Sequence, residues 1–386
     1  MKNNMNSTMN SAMSQPQLTA SRLELADTCP GSQAHKHVQT TGEAAERGTA
    51  VHEYIAALLQ KEECLLPSDH EAAAVCRKLD PRKIMDTSRP NVYSTLYTEL
   101  GLYLSPASLA GVPGEAGLLE GEHHRDYSGA PEGSIPGTAD VVAVEDTRVV
   151  VTDWKTGRGE VPHPADNHQL RFLGLAAARA FSRDEAVIQI GRIGTDGSVD
   201  LHAHTLERED LEAADRELAR IAGRVEKARQ GEPVYREGSH CKHCLALPHC
   251  PAIAGAAQAI MDGPPEELTD RRAARMWEQL QAVEAAAKKT RQALQDYVYA
   301  REVSTTEGKV LKVVETRREN IDSAKAYAIL LEHLPEETMA QVVTVTKTSL
   351  SSGLGKDGQA DVIAAFREAG AISETYSESL REVKGG

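Results

Sequence analysis

Two aspartates and a lysine, Asp140, Asp153 and Lys155, have the residue types and the spacing for metal-assisted chemistry. Asp140 lies in a β-rich segment, and Asp153 and Lys155 end the next one. Adjacent antiparallel strands joined by a short turn would place the three side chains together. The two carboxylates would hold Mg²⁺ or Mn²⁺, assisted by the backbone carbonyl of Trp154. Such a cation activates water and offsets phosphate charge, and the Lys155 ammonium orients the nucleophile or stabilises the transition state.

The elements that must position these residues alternate between helix and strand. Apolar residues at helical spacing predict helices at about 43–60, 70–105, 166–181 and 208–230. Strand-forming residues predict strands at about 118–127, 134–145, 148–154, 186–193 and 199–205. The run Val149-Val150-Val151 is typical of a strand that is buried on both faces. The chain is therefore expected to form an α/β domain with helices packed on a mixed sheet.

Three motifs lie between Ile135 and Gln169: Gly137-Thr138-Ala139-Asp140, Asp153-Trp154-Lys155-Thr156-Gly157 and the helix residue Gln169. Together they resemble the RecB-type branch of the PD-(D/E)XK nuclease superfamily. An Asp-x-Lys pair alone is common on solvated strands, so this context favours the catalytic interpretation. The resemblance implies a restriction-endonuclease-like fold, DNA as substrate, exonuclease activity and an active-site role for Gln169. Leu173 stands where the family often has tyrosine.

Two further residues are candidates through the same resemblance. The segment from Arg47 to His52 is similar to the Gly-x-x-x-His helix of that branch, which implies that His52 is a metal ligand. The alternative for His52 is a histidine packed in the core on one helix face. Glu122, on the segment before Asp140, is a further acidic candidate, and Glu120 competes with it.

Six cysteines form a second constellation. Cys241, Cys244 and Cys250 bring three thiols into one short segment, and Cys29 is the favoured fourth because it lies in a Cys-Pro-Gly turn. Cys64 and Cys76 lie in helical sequence, where a buried thiol is ordinary.

This arrangement resembles the iron–sulfur nucleases of the RecB-like group, including AddB-type and CRISPR-associated members. The resemblance implies a structural 4Fe-4S cluster bound by Cys29, Cys241, Cys244 and Cys250. Zinc is the alternative cofactor, because Cys₄ and Cys₃His sets also bind zinc and His240, His243 and His249 are nearby.

Composition limits the classes of partner. With 43 Lys and Arg against 57 Asp and Glu, the net charge is −14, which opposes a broad electrostatic surface for DNA. Any DNA must therefore be held locally, at a site that recruits divalent metal. No apolar run approaches the roughly 20 residues of a membrane span, and the first 17 residues lack the apolar core of a signal peptide. A cytoplasmic protein without membrane contact is expected.

The chain is expected to have three parts. Residues 1–18 form a disordered leader, residues 19–262 the nuclease domain closed by the cysteines, and residues 263–386 a mainly helical C-terminal domain. Basic residues on its long helix alternate with acids, which favours a solvated face or a homo-oligomer contact over a DNA track. Phage and prophage relatives imply DNA recombination, replication or end processing beside a phage single-strand annealing protein. A noncatalytic DNA-binding or interaction module and a zinc-bearing structural scaffold are the alternatives.

Overall fold

The computed structural model describes residues 17–37, 43–106, 114–119, 126–156, 161–263, 268–299, 301–314 and 359–368. The chain divides into two compact units, Met1–Lys312 and Val313–Gly386. In the second unit, a helix covers residues 359–368. Within the described ranges, no helix combines the length and the apolar composition that a membrane span requires.

The first unit alternates helices and strands. Its helices are α1 (Leu23–Thr28), α2 (Glu43–Gln60), α3 (His70–Cys76), α4 (Pro81–Ser88), α5 (His168–Ala180), α6 (Arg208–Arg229), α7 (Pro251–Met261) and α8 (Asp270–Val298). Its strands are β1 (Thr95–Leu104), β2 (Ala116–Leu118), β3 (Ile135–Val144), β4 (Arg148–Thr156), β5 (Glu185–Ile193), β6 (Val199–Leu206), β7 (Val303–Ser304) and β8 (Val310–Leu311). Asp80, Asn167 and Thr269 each accept a backbone N–H from the first turn of the helix that follows. These caps satisfy donors that have no partner inside the helix, and so favour helix starts at these points.

Six of the strands form one mixed sheet in the order β2-β1-β3-β4-β5-β6. β3 and β4 are an antiparallel hairpin, whereas β4 and β5 are parallel. A parallel pair requires a crossover connection, and α5 provides it. The predicted α/β class, a mixed sheet flanked by helices, is confirmed.

Helices cover both faces of this sheet. On one face, α1, α5 and α6 pack against buried strand residues that include Val142 and Val151. On the other face, α2, α3 and α4 pack against Val141 and Trp154. Val141 and Val142 thus enter opposite apolar layers, as the two-residue period of a strand requires. The central hairpin is therefore held from both sides, which makes it a rigid base for side chains at its end.

The predicted helix at 70–105 is wrong in its last third. α4 ends at Ser88, and Pro90 follows one residue later, which disfavours further helix. Residues Thr95–Leu104 form strand β1, paired with β3 over most of its length. The segment TLYTELGLYL alternates between two sets of side chains and is rich in leucine, threonine and tyrosine, so a period of two was the better interpretation.

The long helix α8 belongs to the first compact unit. The sequence placed it in a separate domain after residue 262, but this unit extends to Lys312. α8 packs against α7 and against the cysteine-bearing turns that precede α7. Beyond α8, β7 and β8 form a hairpin whose turn contains Glu307 and Gly308.

A buried ion pair joins α5 to α6 and gives a test of the fold. Arg179 Nη2 lies 2.6 Å from Asp215 Oδ2, and the Asp215 side chain is only 5% exposed. Arg179→Met removes the cation that compensates this carboxylate, so it is expected to lower the free energy of unfolding by about 3–5 kcal/mol. The measurement is urea unfolding at neutral pH.

The matched control is Arg208→Met. Arg208 pairs with Asp184 at 2.7 Å, but both side chains are mostly exposed, so the expected change is only about 0–1 kcal/mol. Equal losses for the two variants would contradict a structural role for the buried pair.

Candidate functional site

Asp140 and Asp153 lie opposite each other where β3 and β4 separate. The last paired residues of this hairpin are Val141 and Thr152, and the two aspartates are the next residues on each strand. Both are buried, with Asp140 9% and Asp153 3% exposed. The pairing of β3 with β4 stops before the two aspartates. Side chains and backbone groups can therefore contact the aspartates between the strands.

Asp140 is held by the backbone of β4 and approached by α2. The Trp154 N–H donates to Asp140 Oδ2 at 2.7 Å, and His52 Nδ1 lies 3.4 Å from the same oxygen. Burial opposes ionisation of Asp140, but His52, Lys155 and the Trp154 N–H outweigh it and lower its pKa. Burial likewise opposes protonation of His52, and the Asp140 carboxylate outweighs it and raises the His52 pKa. The two groups therefore stabilise each other's charged form.

Asp153 is held by its own strand and by α5. Lys155 Nζ lies 2.7 Å from Asp153 Oδ2, and Gln169 Nε2 donates to Oδ1 at 3.5 Å. Burial raises the pKa of Asp153; the Lys155 ammonium opposes this shift, and the nearby Asp140 carboxylate adds to it. A cation bound between the two carboxylates would relieve this repulsion.

Glu99 of β1 is a site residue that the sequence analysis missed. The neighbouring pairs Thr98 with Val141 and Leu100 with Ala139 make Glu99 the residue opposite Asp140. Ligand atoms of His52, Glu99 and Asp140 all lie within 4.8 Å of one another. Glu99 has φ of 49°, a left-handed conformation that is costly for a residue with a side chain. The signal that would have found it is the alternation in β1, which the prediction of helix concealed.

The structure describes some of the remaining candidate residues and not others. Glu122 and Glu120 lie outside the described residues. The Trp154 indole is buried and lies against Gly191, where a Cβ would clash with the ring. Its carbonyl remains a predicted ligand. Leu173 is fully buried in the apolar layer beneath α5.

The residues at this site suit a hard divalent cation. His52, Glu99 and Asp140 bring an imidazole and two carboxylates from α2, β1 and β3 together, and the Asp153 carboxylate of β4 is near enough to affect the pKa of His52. His52 Nδ1 is buried and lies 3.4 Å from Asp140 Oδ2. A cation at this position would have an imidazole nitrogen and a carboxylate oxygen as neighbouring ligand atoms.

The four predicted cysteine ligands form a second cluster. Cys29 directly follows α1, Cys241 and Cys244 lie in turns after α6, and Cys250 immediately precedes α7. Burial raises the pKa of the Cys241 thiol to about 11, and the neighbouring thiols of Cys244, Cys29 and Cys250 contribute to the shift. Cys29, from a segment distant in sequence, thus lies near enough to Cys241 for its thiol to affect the Cys241 pKa.

Backbone donors surround these sulfurs. Ser32 and Arg236 form backbone hydrogen bonds to Cys29, and Ala246 forms one to Cys244. Burial raises the pKa of both thiols, and these bonds partly offset it. Hydrogen bonds of this kind favour the thiolate form that metal ions bind.

The remaining two cysteines lie elsewhere. Cys76 belongs to the apolar layer of α2 and α3, where burial raises its pKa to about 11. Cys64 lies in the loop after α2, with Sγ 3.6 Å from the Glu62 carbonyl oxygen. The structure thus separates them from the four-cysteine group.

Comparison with known proteins identifies a family for this chain but no activity. The crystal structure of SSO0001 is similar at 16% identity and a TM-score of 0.26, covering 55% of this chain and 89% of that one. A TM-score this low carries no conclusion about fold or function. A search of curated proteins finds no match. A family described as "Protein of unknown function (DUF2800)" matches residues 17–375, which is most of the chain. The chain therefore belongs to the DUF2800 family.

Proposed function

We propose that this protein is a divalent-metal-dependent DNA nuclease of the PD-(D/E)XK type, acting as an exonuclease. The observation that carries the proposal is the meeting of Asp140, Asp153 and Lys155 where β3 and β4 separate, with His52 and Glu99 beside them. A buried acidic group beside an ammonium suits phosphoryl chemistry, which depends on positioning and electrostatics.

Asp140, Asp153, Glu99 and His52 would hold Mg²⁺ or Mn²⁺, with the Trp154 carbonyl as a further oxygen ligand. When bound, this cation lowers the pKa of water and offsets charge on the scissile phosphate. The protein keeps the ligands in place: the Trp154 N–H fixes Asp140, and Gln169 contacts Asp153. Ligands fixed before substrate binds avoid reorganisation during the reaction.

In this proposal, Lys155 contacts the substrate. Its ammonium is held by Asp153 at 2.7 Å, yet the side chain is 34% exposed. It can therefore donate to a non-bridging phosphate oxygen while it remains anchored to the site. The positive charge of Lys155 stabilises the additional negative charge that develops on the phosphate in the transition state.

The choice of DNA and of end-dependent cleavage rests on the motifs from Ile135 to Gln169. A partner such as a phage single-strand annealing protein, a cytoplasmic location and a role in recombination belong to the same proposal. The noncatalytic alternative would be expected to lack a catalytic acid or the lysine, whereas this chain retains Asp140, Asp153 and Lys155.

For the cysteine site, we propose a 4Fe-4S cluster bound by Cys29, Cys241, Cys244 and Cys250. The support is the grouping of four thiols with backbone donors. Such a group would tie α1 to the end of the nuclease core, two segments more than two hundred residues apart in sequence. Its role would be structural.

The test of the nuclease proposal is a digestion panel with three DNA substrates. Linear duplex labelled at either the 5′ or the 3′ end, covalently closed circular duplex, and linear single strands are incubated with Mg²⁺, Mn²⁺ or EDTA. We expect progressive loss of linear DNA with either metal, survival of the circles, and no digestion in EDTA. Cleavage of circles would replace the exonuclease with an endonuclease. Binding of DNA without degradation under all conditions would favour the noncatalytic module.

A further inference from the structure

Helix α8 covers the cysteine site. Ala282, fully buried in the middle of the helix, shares an apolar cluster with Cys241, Cys244, Ala246 and Leu247. Ala285 and Ala286, one turn further along α8, pack against the same cluster. The small side chains on this face of α8 allow the helix to lie close to the cysteine turns.

Two cations of α8 hold the cysteine segment. Arg275 Nη2 lies 3.0 Å from Glu237 Oε2, and Glu237 is a mostly buried carboxylate that precedes the cysteine turn. Lys289 Nζ donates to the backbone carbonyl oxygen of Cys244. Lys289 is partly buried, whereas the adjacent Lys288 is exposed. The ammonium of Lys289 is thus directed to the cysteines and that of Lys288 to solvent.

We propose that α8 is the lid of the cysteine site and that Lys289 is a positioning residue for the metal group bound there. This inference rests on the cofactor part of the proposed function. Four thiolates bring excess negative charge into a partly buried site, and such charge is costly without a nearby cation. Lys289 provides that cation and also fixes the main chain of the ligand Cys244.

Loss of the Lys289 ammonium should have effects that loss of a residue with a packing role alone would not have. Reduction of a cluster adds an electron to a group that is already negative, so a neighbouring ammonium favours the reduced form. Removing it is expected to make the midpoint potential more negative. Metal should also leave faster, because residues that support ligands contribute about 10–100-fold to metal affinity.

The experiment compares the full-length variants Lys289→Met, Lys289→Arg and Lys288→Met, all purified without oxygen. Two properties are measured: the rate of metal loss to a chelator, and the midpoint potential by titration with a chemical reductant. For Lys289→Met we expect metal loss about tenfold faster and a more negative potential. Lys289→Arg keeps the positive charge and should have the rate of metal loss and the midpoint potential of the wild type. Lys288→Met should also match the wild type in both properties. Lys289→Gln is a second uncharged variant should the methionine variant fail to fold.

The outcomes separate this inference from the cofactor proposal. Iron in the wild type together with unchanged behaviour of Lys289→Met and Lys289→Gln overturns only the role of Lys289. Equal effects of Lys288→Met and Lys289→Met also overturn it, because a general charge effect would then explain both. Zinc in place of iron leaves the rate of metal loss as the deciding measurement. A wild type without metal at the cysteines overturns the cofactor proposal and this inference together.

Discussion

Alanine at Asp140 or Asp153 is expected to abolish metal-dependent DNA hydrolysis and to weaken Mg²⁺ and Mn²⁺ binding. Each change removes one of the two carboxylates that face each other beyond the last pair of the β3–β4 hairpin. Neither should unfold the protein, since relief of repulsion between two buried carboxylates offsets lost contacts. Hydrolysis of labelled duplex and isothermal titration with Mn²⁺ give the two readouts.

Lys155→Ala is expected to lose DNA hydrolysis for a different reason. Its ammonium is assigned to the phosphate rather than to the cation, so metal binding should persist while turnover falls by about 10²–10³-fold. The same titration therefore distinguishes Lys155→Ala from the aspartate variants. Glu99→Gln should resemble the aspartates in losing metal affinity, because Glu99 lies within ligand distance of His52 and Asp140.

Matched controls keep this result interpretable. Asp146→Ala removes an exposed aspartate from the turn of the same hairpin, and Lys227→Ala removes an exposed lysine from α6. Both should retain wild-type hydrolysis and metal binding. Normal cutting by the Asp140, Asp153 and Lys155 variants would place the active site elsewhere in the chain.

Cys29→Ala is expected to remove the bound iron and sulfide as completely as Cys241→Ala. The two residues are more than two hundred positions apart in sequence, so equal loss would show that they hold one group. The thermal unfolding temperature should fall in both variants, because metal binding by a folded site contributes directly to folding free energy. Iron, sulfide and zinc analysis of protein purified without oxygen, together with visible absorbance, measures the outcome.

Cys64→Ala is the control for thiol removal as such. Cys64 lies in the loop after α2, apart from the four-cysteine group, and its loss should leave metal content unchanged. Full colour in Cys29→Ala would exclude this residue from the ligand set. About one zinc per chain without iron would replace the 4Fe-4S cluster with a zinc site, for which Zn–S distances of about 2.3 Å are typical.

The sequence predictions were accurate where a local pattern defines an element and inaccurate where contacts with distant parts of the chain decide it. β3, β4, α5, β5, β6 and α6 were predicted close to their observed bounds, because each has a strong apolar period and turn residues at its ends. The boundary between α4 and β1 was missed. There a short capped helix and a strand follow each other within a few residues, and Leu96, Leu100 and Leu104, four residues apart, also satisfy part of a helical pattern.

The placement of Asp140, Asp153, Lys155 and Gln169 was accessible from the amino-acid sequence, since one hairpin and the helix after it bring them together. Such neighbours depend on short connections whose geometry local residues specify. The alternation in β1 identifies Glu99 as a strand residue, but its contact with Asp140, like that of Lys289 with Cys244, was decided only by the tertiary structure. Glu99 reaches Asp140 through the pairing of β1 with β3, and Lys289 reaches Cys244 through the packing of α8. Contacts between such separate elements depend on how whole surfaces pack, and no pattern within either segment encodes its partner.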